Sequence, residues 1–369
     1  MKWVFILGLL SYVGGNLYVY IRLLQSITHT HTAIKVLFST LFWLSAFALF
    51  VAIALRDAEL PHNIQRTMFV VGSVWMVFIL YMVLATLLVD VLHLLIPTLN
   101  HRVWYALGAT LILLVGGYIN YRTPRVERFN LDIAKSSHTT PMRIVAISDV
   151  HLGYGTTRKD LARYVDRIER EQADVVVIIG DLIDNSVTPV EREDMCAEFA
   201  RLRTREGIYM VAGNHEYISG IDDIERYLAT TPIHLLRDSI VTLSNGVQLL
   251  CRDDRSNRTR LNLEELVAKA DNALPIVLLD HQPYDISRSA ATGVVDLHLS
   301  GHTHRGQVWP LSWATDAMYE QSYGYRKWGA MHAYVSSGLS LWGPPFRIGT
   351  HSEIVVIDIN PMGEDISPL

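Results

Sequence analysis

The sequence is poor in cysteine and in charge, and it has no surplus of basic residues. Its two cysteines, Cys196 and Cys251, are too few to form a disulfide framework. Only 19% of the 369 residues are charged and the net charge is −5, which argues against the basic face of a general nucleic-acid binder. Half of the residues are hydrophobic and the mean hydropathy is +0.21, so the chain has enough apolar surface to fold and is not intrinsically disordered. A chain of this length is expected to form about two domains.

Charge is scarcest in the first third of the chain. Residues 1–120 contain six basic and three acidic residues, whereas residues 121–369 contain 26 basic and 34 acidic ones. Four apolar runs lie in the charge-poor part, over residues 3–24, 34–55, 68–95 and 103–119. Because about 20 apolar residues cross a bilayer, we predict a transmembrane helical domain over 1–120 and a separate domain over 121–369.

Two other interpretations of the apolar runs are weaker. The first run could be a signal peptide, but no A-x-A-like cleavage site follows it and three further runs do. The runs could also be buried helices of a soluble protein, but they have almost no polar face.

The basic residues around the four spans predict the orientation in the membrane. Lys2, Arg56, Arg66, Arg122, Arg125 and Arg128 lie on the side of the second domain, and Arg22, Lys35 and Arg102 lie opposite. The positive-inside bias then predicts a multi-pass membrane protein with the second domain in the cytoplasm.

One acidic residue, Asp90, lies within the third apolar run, three residues before His93. An acid inside a span indicates a functional site by default. The run is longer than a bilayer requires, so the alternative is an acid near the lipid headgroups that pairs with His93 on the same helix face.

In the second domain, short apolar runs alternate with charged helical stretches. We predict strands over 126–133, 142–147, 175–179, 208–212, 275–279 and 294–299, with helices over 158–171 and 190–204. Fully apolar strands separated by helices are typical of an α/β domain whose sheet is covered on both faces.

Side chains that bind metals follow five of these strands, at the point where each strand ends. They are Asp149 and His151, Asp181, Asn214 and His215, His281, and His302 and His304. Because the carboxyl ends of such strands open into one crevice, we expect these side chains to converge. None is a thiol, so the set suits Mn, Fe, Zn or Mg. The donors are more than one ion needs, and two ions about 4 Å apart can clamp the oxygens of a phosphoryl transfer.

Five blocks of the sequence resemble the signature of the calcineurin-like metallophosphoesterases. The blocks are SDVHLG (148–153), GDLID (180–184), GNHE (213–216), DHQP (280–283) and GHTHRGQ (301–307), and their order and spacing both fit. The tail SSGLSLWGPPFRIGTHSEIVVIDI is similar to the branch of YaeI- and YkuE-type phosphodiesterases. The apolar N-terminal part is similar to a subgroup of transmembrane proteins with a C-terminal metallophosphoesterase domain. The resemblance covers about residues 125–360 and implies a four-layer α/β sandwich after the four-helix transmembrane domain.

The resemblance also implies a role for each candidate residue. Asp149, His151 and His304 would hold one metal ion, Asn214, His281 and His302 a second, and Asp181 would bridge both. His215 would be the catalytic residue that faces the substrate and protonates the leaving oxygen, and Asp184 would orient it. An oriented imidazole is the usual general acid near neutral pH. The expected cofactor is two divalent ions, Mn first, with Fe or Zn as alternatives.

The substrate is less defined than the chemistry. The branch resemblance implies a phosphodiester or pyrophosphate, and some members cleave UDP-2,3-diacylglucosamine in lipid A synthesis. Arg305 could contact a phosphate or form a salt bridge near the metals, and Arg255 belongs to a basic turn that either meets an anionic substrate or headgroup or is a solvated face. Eight large side chains between 313 and 346 either line an acyl groove or contact headgroups, or form ordinary packing: Trp313, Met318, Tyr319, Tyr323, Tyr325, Trp328, Trp342 and Phe346.

Three functions therefore remain open. The first is a membrane-anchored dinuclear hydrolase of a lipid-linked nucleotide pyrophosphate, with membrane lipid as a partner. The second is the same chemistry on a soluble substrate, with the helices only as an anchor. The third is a membrane sensor or scaffold whose metal site is structural. The oligomeric state is not predicted.

Overall fold

The computed structural model describes residues 2–55, 58, 60–133, 135 and 140–361, and the chain divides into two compact units. The first unit contains residues 1–119 and 343–348, and the second contains residues 120–342 and 349–369. Arg56, Asp57 and Glu59, which entered the charge comparison above, lie outside the described residues.

The first unit is built from four long helices, which are α1 (Lys2–Ser26), α2 (Thr32–Ala54), α3 (His62–Leu95) and α4 (Arg102–Arg122). All four are long and apolar enough to cross a membrane, counted from Ile6 in α1. Many of their outward-facing side chains are hydrophobic: Leu94 is 77% exposed and Ile112 74%. Because exposed apolar surface of this kind is stable only when lipid or protein covers it, the helices are candidate membrane spans.

Small and aromatic side chains set the packing inside the helical unit. A Cβ atom added to Gly72 of α3 would lie 2.1 Å from the backbone nitrogen of Leu49 in α2, so only glycine permits this close approach. The buried Asn16 of α1 accepts a hydrogen bond from the Trp75 indole at 2.9 Å, which satisfies a polar group within an apolar layer.

The partners of Asp90 differ from the expected one. Its carboxylate accepts a hydrogen bond from Tyr18 at 2.7 Å and forms ion pairs with Arg22 and, at 3.0 Å, with Arg102. The predicted pairing with His93 is wrong, because two arginines from other helices reach the carboxylate instead. All three charged residues lie near helix ends that the antiparallel order of the helices brings to the same end of the unit.

A short segment from the end of the chain, residues 343–348, belongs to the helical unit. The backbone N–H of Arg347 donates to the carbonyl oxygen of Gly117 in α4 at 3.0 Å. Phe346 and Arg347 are both buried. Phe346 is therefore one of the buried side chains of the helical unit.

The second unit contains two six-stranded mixed sheets. The first sheet has the order β1 (Arg125–Ile133), β12 (Glu353–Pro361), β2 (Met142–Ile147), β3 (Val175–Ile179), β4 (Gly207–Val211) and β5 (Ile233–Leu236). The second has the order β10 (Gly324–Trp328), β11 (Met331–Val335), β9 (Leu297–Ser300), β8 (Ile276–Leu279), β7 (Gln248–Cys251) and β6 (Ser239–Thr242). In the first sheet only β12 and β2 pair antiparallel, and in the second the two edge strands do.

Helices cover the outer faces of the sheets, and a shared apolar core fills the space between them. The helices of this unit are α5 (Arg158–Arg170), α6 (Thr188–Arg192), α7 (Asn214–Ser219), α8 (Ile221–Leu228), α9 (Leu263–Val267), α10 (Ile286–Ala291) and α11 (Leu311–Met318). The inner faces of both sheets meet in one core that includes Val177, Leu249 and Leu279. Separate clusters pack α5 and α8 against the first sheet and α9 and α10 against the second. The predicted fold class, four apolar helices followed by an α/β sandwich, is confirmed.

The predicted helix over residues 190–204 is wrong in its extent. The structure has α6, then a left-handed residue, Asp194, at a φ of 45°, and then a 3₁₀ turn over Met195–Arg201. A left-handed residue cannot continue an α-helix, so the apolar periodicity there spans two short pieces.

Candidate active site

The candidate ligands lie on loops that leave the carboxyl ends of strands from both sheets. Asp149 and His151 follow β2, Asp181 follows β3, and Asn214 and His215 start α7 after β4. From the second sheet, His281 follows β8, and His302 and His304 follow β9. The two sheets therefore bring eight side chains from five loops to one edge of the sandwich.

Asp149, His151 and His304 form the first group of donors. Nε2 of His304 lies 3.1 Å from Nε2 of His151 and 3.4 Å from Oδ1 of Asp149. Asp149 and His151 are buried, and all three donor atoms lie within 4.8 Å of one another. Two imidazole nitrogens that face each other at this distance in a buried site can both serve one cation.

Asp181, His281 and His302 form the second group. Oδ2 of Asp181 lies 3.1 Å from Nε2 of His281 and 3.8 Å from Nε2 of His151, so it stands between the two groups. Nδ1 of His281 donates a hydrogen bond to the carbonyl oxygen of Ile179 at 2.7 Å, which leaves Nε2 for the site. Among the described residues, the buried Oδ1 of Asn214 has no hydrogen-bond partner, and the contact of the buried Nε2 of His281 is the ion pair with Asp181.

Donor atoms without partners in a buried site are a strong indication that something else binds them. Leaving such groups unpaired costs about 1–3 kcal/mol each. The two groups of donors, joined at Asp181, are oxygen and imidazole ligands of the kind that borderline and hard divalent ions prefer. The residues present therefore fit a pair of divalent cations.

The backbone at the site is held in a conformation that most residues avoid. Asp149, His151, Asp181, His302 and His304 all have positive φ values, between 48° and 70°. Such left-handed residues cost free energy and collect at functional sites, where the surrounding structure imposes them. Sequence patterns gave no sign of this feature.

Glycines beside the ligands allow the loops to approach each other. A Cβ atom on Gly301 would lie 2.5 Å from Oδ2 of Asp149, and one on Gly213 would lie 2.2 Å from Oδ1 of Asp181. On Gly180 it would lie 2.5 Å from Nδ1 of His281. Each of these three glycines therefore leaves space that a ligand side chain occupies.

Glu216 is a site residue to which the sequence assigned no role. Its side chain is fully buried, and its carboxylate accepts backbone N–H bonds from Asp181 at 2.9 Å, Ile183 at 3.0 Å and Gly213 at 2.7 Å. Glu216 thus ties the loop after β3 to the loop after β4. Its place inside the block GNHE was the only signal of importance in the sequence.

His215 and Asp184 form an ion pair beside the donor groups. Nδ1 of His215 lies 3.2 Å from Oδ1 of Asp184, and the same oxygen lies 3.7 Å from Nδ1 of His151. The backbone N–H of His215 donates to Oδ1 of Asp181 at 2.8 Å. Burial by itself would lower the pKa of His215, but Asp184 and Asp181 outweigh it and raise the pKa to about 9.

Burial and neighbouring charge separate the pKa values of the other side chains. Burial raises the pKa of Asp149. Burial acts in the same direction on Asp181, but His281 and the other imidazoles hold the pKa of Asp181 well below its usual value. Burial lowers the pKa of His302 to about 4, so this imidazole is neutral at pH 7 and can act as a ligand.

The two arginines considered for substrate contact have different surroundings. Arg255 is exposed, and its guanidinium lies 4.2 Å from the ring centroid of Tyr284. The Tyr284 hydroxyl lies 3.2 Å from that of Tyr319, whose ring centroid is 6.2 Å from that of His302. Arg255 is therefore connected to the site through two tyrosines.

Arg305 lies 4.4 Å from the ring centroid of Tyr323. Over the described ranges, no carboxylate is within ion-pair distance of Arg305, so the salt bridge considered above is not formed. Within the basic turn, Arg252 is buried and pairs with Asp280 at 2.9 Å and Asp285 at 2.6 Å, whereas Arg258 is exposed.

The large side chains between 313 and 346 do not share one environment. Trp313 and Met318 of α11 are 66% and 64% exposed, and Tyr325 is 49% exposed. Trp309, just before α11, is 42% exposed and its ring packs against that of Trp313. An exposed aromatic surface therefore lies close in sequence to His304.

The chain is similar to metallophosphoesterases, both in a family model and in individual relatives. The family model described as "Calcineurin-like phosphoesterase" matches residues 142–306. An uncharacterized metallophosphoesterase of Helicobacter pylori is 32% identical over 255 residues, which are 68% of this chain and 67% of that protein. A transmembrane protein with metallophosphoesterase domain from Danio rerio is 29% identical over 269 residues, 68% of this chain and 61% of that protein. The uncharacterized metallophosphoesterase YkuE of Bacillus subtilis is 27% identical over 268 residues, 66% of this chain and 89% of that protein.

Proposed function

This chain belongs to the calcineurin-like phosphoesterase family, and we propose that it is a membrane-anchored hydrolase that cleaves a phosphodiester or pyrophosphate bond with two divalent ions. The observation that carries the proposal is the pair of donor groups joined at Asp181, with the His215–Asp184 ion pair beside them. The similarity to YkuE supports a place in the YaeI and YkuE branch.

We propose the following ligands. Asp149, His151 and His304 would hold one ion, Asn214, His281 and His302 the other, and Asp181 would contact both. When bound, the two ions would supply Lewis-acid activation of a water molecule and would hold the phosphoryl oxygens. We propose Mn as the metal, with Fe or Zn as the alternatives to be tested.

His215 has the geometry of the general acid. Its Nδ1 faces Asp184 at 3.2 Å, so its Nε2 is left for the substrate. With its pKa raised to about 9, the imidazole is protonated at neutral pH. During hydrolysis the water oxygen forms a bond to phosphorus, the bond from phosphorus to the leaving oxygen breaks, and His215 gives its proton to that oxygen. Asp184 is a positioning residue, which fixes the ring and stabilises its charge.

The experiment is turnover of bis-p-nitrophenyl phosphate by the purified chain in detergent, with and without added Mn²⁺. We expect metal-dependent turnover that falls about 10²–10⁴-fold in His215→Ala, while metal content and thermal unfolding stay as in the wild type. If the wild type binds metals but shows no turnover, the metal site is structural and the protein is a sensor or scaffold, which refutes the proposal.

We propose that the substrate is a lipid-linked nucleotide pyrophosphate of the UDP-2,3-diacylglucosamine type. The candidate spans would tether the enzyme to the membrane and raise the effective concentration of a lipid substrate. The exposed Trp313 and Met318 offer apolar contact for acyl chains or headgroups. Arg255 on Tyr284, and Arg305 beside His304, offer guanidinium groups for phosphate oxygens.

Release of UMP from UDP-2,3-diacylglucosamine in mixed micelles, compared with release from UDP-glucose, tests this substrate class. We expect a higher kcat/KM for the lipid and a loss of that preference in Trp313→Ala. Arg255→Ala should raise KM several-fold, whereas Arg258→Ala, an exposed arginine of the same turn, should leave it unchanged. Equal rates on both substrates would favour a soluble substrate, with the helices only as an anchor.

We further propose that the catalytic unit lies in the cytoplasm at the bacterial inner membrane. The positive-inside bias of the flanking arginines supports this side. Protease digestion of sealed right-side-out and inside-out vesicles tests it, because the catalytic unit should be cleaved only in the inside-out preparation.

A further inference from the structure

A second cluster of metal-binding side chains lies in the catalytic unit, apart from the residues discussed so far. It consists of Glu127 on β1, Glu353 on β12 and His351 just before β12. Arg125, two residues before Glu127, pairs with Glu353 in the parallel register of β1 and β12. The cluster shares no residue with the two donor groups of the active site.

The distances from His351 to the two carboxylates match those between the ligands of a tetrahedral ion. Nε2 of His351 lies 3.5 Å from Oε1 of Glu127 and 3.4 Å from Oε2 of Glu353. The hydroxyl of Tyr323 lies 2.9 Å from the same Nε2 and 3.1 Å from the same Oε2. Zinc bonds of about 2.0–2.1 Å in a tetrahedron separate neighbouring ligand atoms by about 3.3–3.4 Å.

The charges in the cluster are not balanced by arginine or lysine. Glu353 is fully buried, and Glu127 is 40% exposed at its side chain. Among the described residues, His351 is the only basic group within ion-pair distance of either carboxylate. Arg305 packs on the ring of Tyr323 instead. The two carboxylates therefore share His351 as their basic partner, and a divalent ion would balance their negative charge.

Backbone contacts hold the buried ligands in place. The other oxygen of Glu353, Oε1, accepts the backbone N–H of Ser337 at 2.8 Å, and the Ser337 hydroxyl donates to the carbonyl oxygen of His351 at 2.7 Å. This arrangement leaves Oε2 of Glu353 and Nε2 of His351 3.4 Å apart, both beside the Tyr323 hydroxyl. Metal sites typically fix their ligands by such outer hydrogen bonds.

We propose that Glu127, His351 and Glu353 bind a third divalent ion of the Zn²⁺ type, with the Tyr323 hydroxyl or a water molecule at the fourth position. The ion would link the start of β1, the start of β12 and the loop that carries Tyr323. The proposal does not depend on the catalytic activity, because it concerns residues outside the active site. Its role would be structural, since three protein ligands from two distant segments would be held together.

The experiment is the Zn²⁺ content of the full-length protein in detergent, after removal of metals with a chelator, addition of excess Zn²⁺ and gel filtration. We expect about three Zn²⁺ per chain in the wild type and about two in Glu127→Gln and in His351→Gln. Glu127 is partly exposed, so Glu127→Gln should fold, which its thermal unfolding would verify. Glu264→Gln, an exposed acid paired with Arg288, is the matched control and should retain about three.

A variant without the dinuclear centre separates this site from the catalytic one. Asp181→Asn should still bind one Zn²⁺, and Asp181→Asn combined with Glu127→Gln should bind none tightly. Competition with a chromophoric chelator should show at least a tenfold weaker affinity for that ion when Glu127 is replaced. Two or fewer Zn²⁺ in the wild type, or equal content in the wild type and Glu127→Gln, would overturn the proposal and make the cluster a simple ion pair of His351 with the two carboxylates.

Discussion

Replacing Glu216 by glutamine should loosen the two loops that carry Asp181 and Asn214. One carboxylate oxygen of Glu216 accepts the N–H groups of Asp181 and Gly213, and the other accepts that of Ile183. A glutamine amide has a single oxygen, so its NH₂ group must point at a backbone N–H group whichever way it is turned. At least one buried N–H group then loses its acceptor.

The size of the effect follows from these three bonds. An orphaned buried donor costs about 1–3 kcal/mol, and the loss of charge assistance from the remaining bonds adds about 1 kcal/mol. For a unit of this size, 2–4 kcal/mol lowers the melting temperature by roughly 5–15 °C. Because Glu216 fixes the loop that holds Asp181, we also expect metal affinity to fall about 10–100-fold.

The assay is thermal unfolding of Glu216→Gln with and without Mn²⁺, together with metal affinity by chelator competition. Glu265→Gln is the control, since Glu265 accepts one N–H bond, from Asn262 at 3.0 Å, at the exposed start of α9. Glutamine is acceptable in such a capping position, so this variant should unfold like the wild type. If Glu216→Gln matches the control in both measurements, the three hydrogen bonds do not hold the site and the reasoning is refuted.

Three further predictions concern the ion pair, a glycine and a buried histidine. Asp184→Asn should lower kcat about 10–100-fold with KM and metal content unchanged. Because His215 loses the charge that raises its pKa, the basic limb of the pH–kcat profile should move to lower pH. An unmoved limb would exclude Asp184 as the residue that positions His215. Gly213→Ala puts a Cβ atom 2.2 Å from Oδ1 of Asp181, so it should lose metal and at least nine-tenths of the activity, whereas Gly108→Ala, with nothing within 4 Å, should lose neither. His298 is buried between the hydroxyls of Ser289 and Ser300, and burial together with the charge of Arg252 lowers its pKa to about 3. In the unfolded chain this imidazole titrates near pH 6.5, so the neutral folded form stabilises the protein above that pH. Below pH 6 the free energy of unfolding of the wild type should fall by about 1.4 kcal/mol per pH unit. A His298→Gln variant whose melting temperature has the same pH slope would contradict this.

The strands that carry the ligands were predictable, and several other elements were not. The strands over 142–147 and 175–179 are confirmed at their predicted bounds, because they are fully apolar and end in polar residues. The edge strands β6 and β10 have few buried side chains, so hydrophobic periodicity gave no signal for them. The 3₁₀ turn over Met195–Arg201 was wrongly predicted as part of an α-helix, because the spacing of its apolar residues resembles that of a helix.

The residues of the candidate site were predictable from the sequence, but their arrangement in space was not. Residue type and position after each strand were enough to select the seven donors and His215. The role of Glu216 depends on three N–H groups from two loops, and the left-handed backbone at Asp149 and His302 depends on the folded surroundings. Asp90 shows the same limit, because its partners Arg22 and Arg102 are distant in sequence and its neighbour His93 is not one of them.

The assignment of residues 343–348 to the helical unit has a practical consequence for biochemistry on this enzyme. A truncated chain that starts near Asn120 would keep Phe346 and Arg347 but lose Gly117 and the helices that cover them. It would expose an aromatic ring and a desolvated guanidinium on the stretch that leads from Trp342 into β12. Such a fragment is expected to aggregate even though its sheets are complete, so activity should be measured on the whole polypeptide in detergent or nanodiscs.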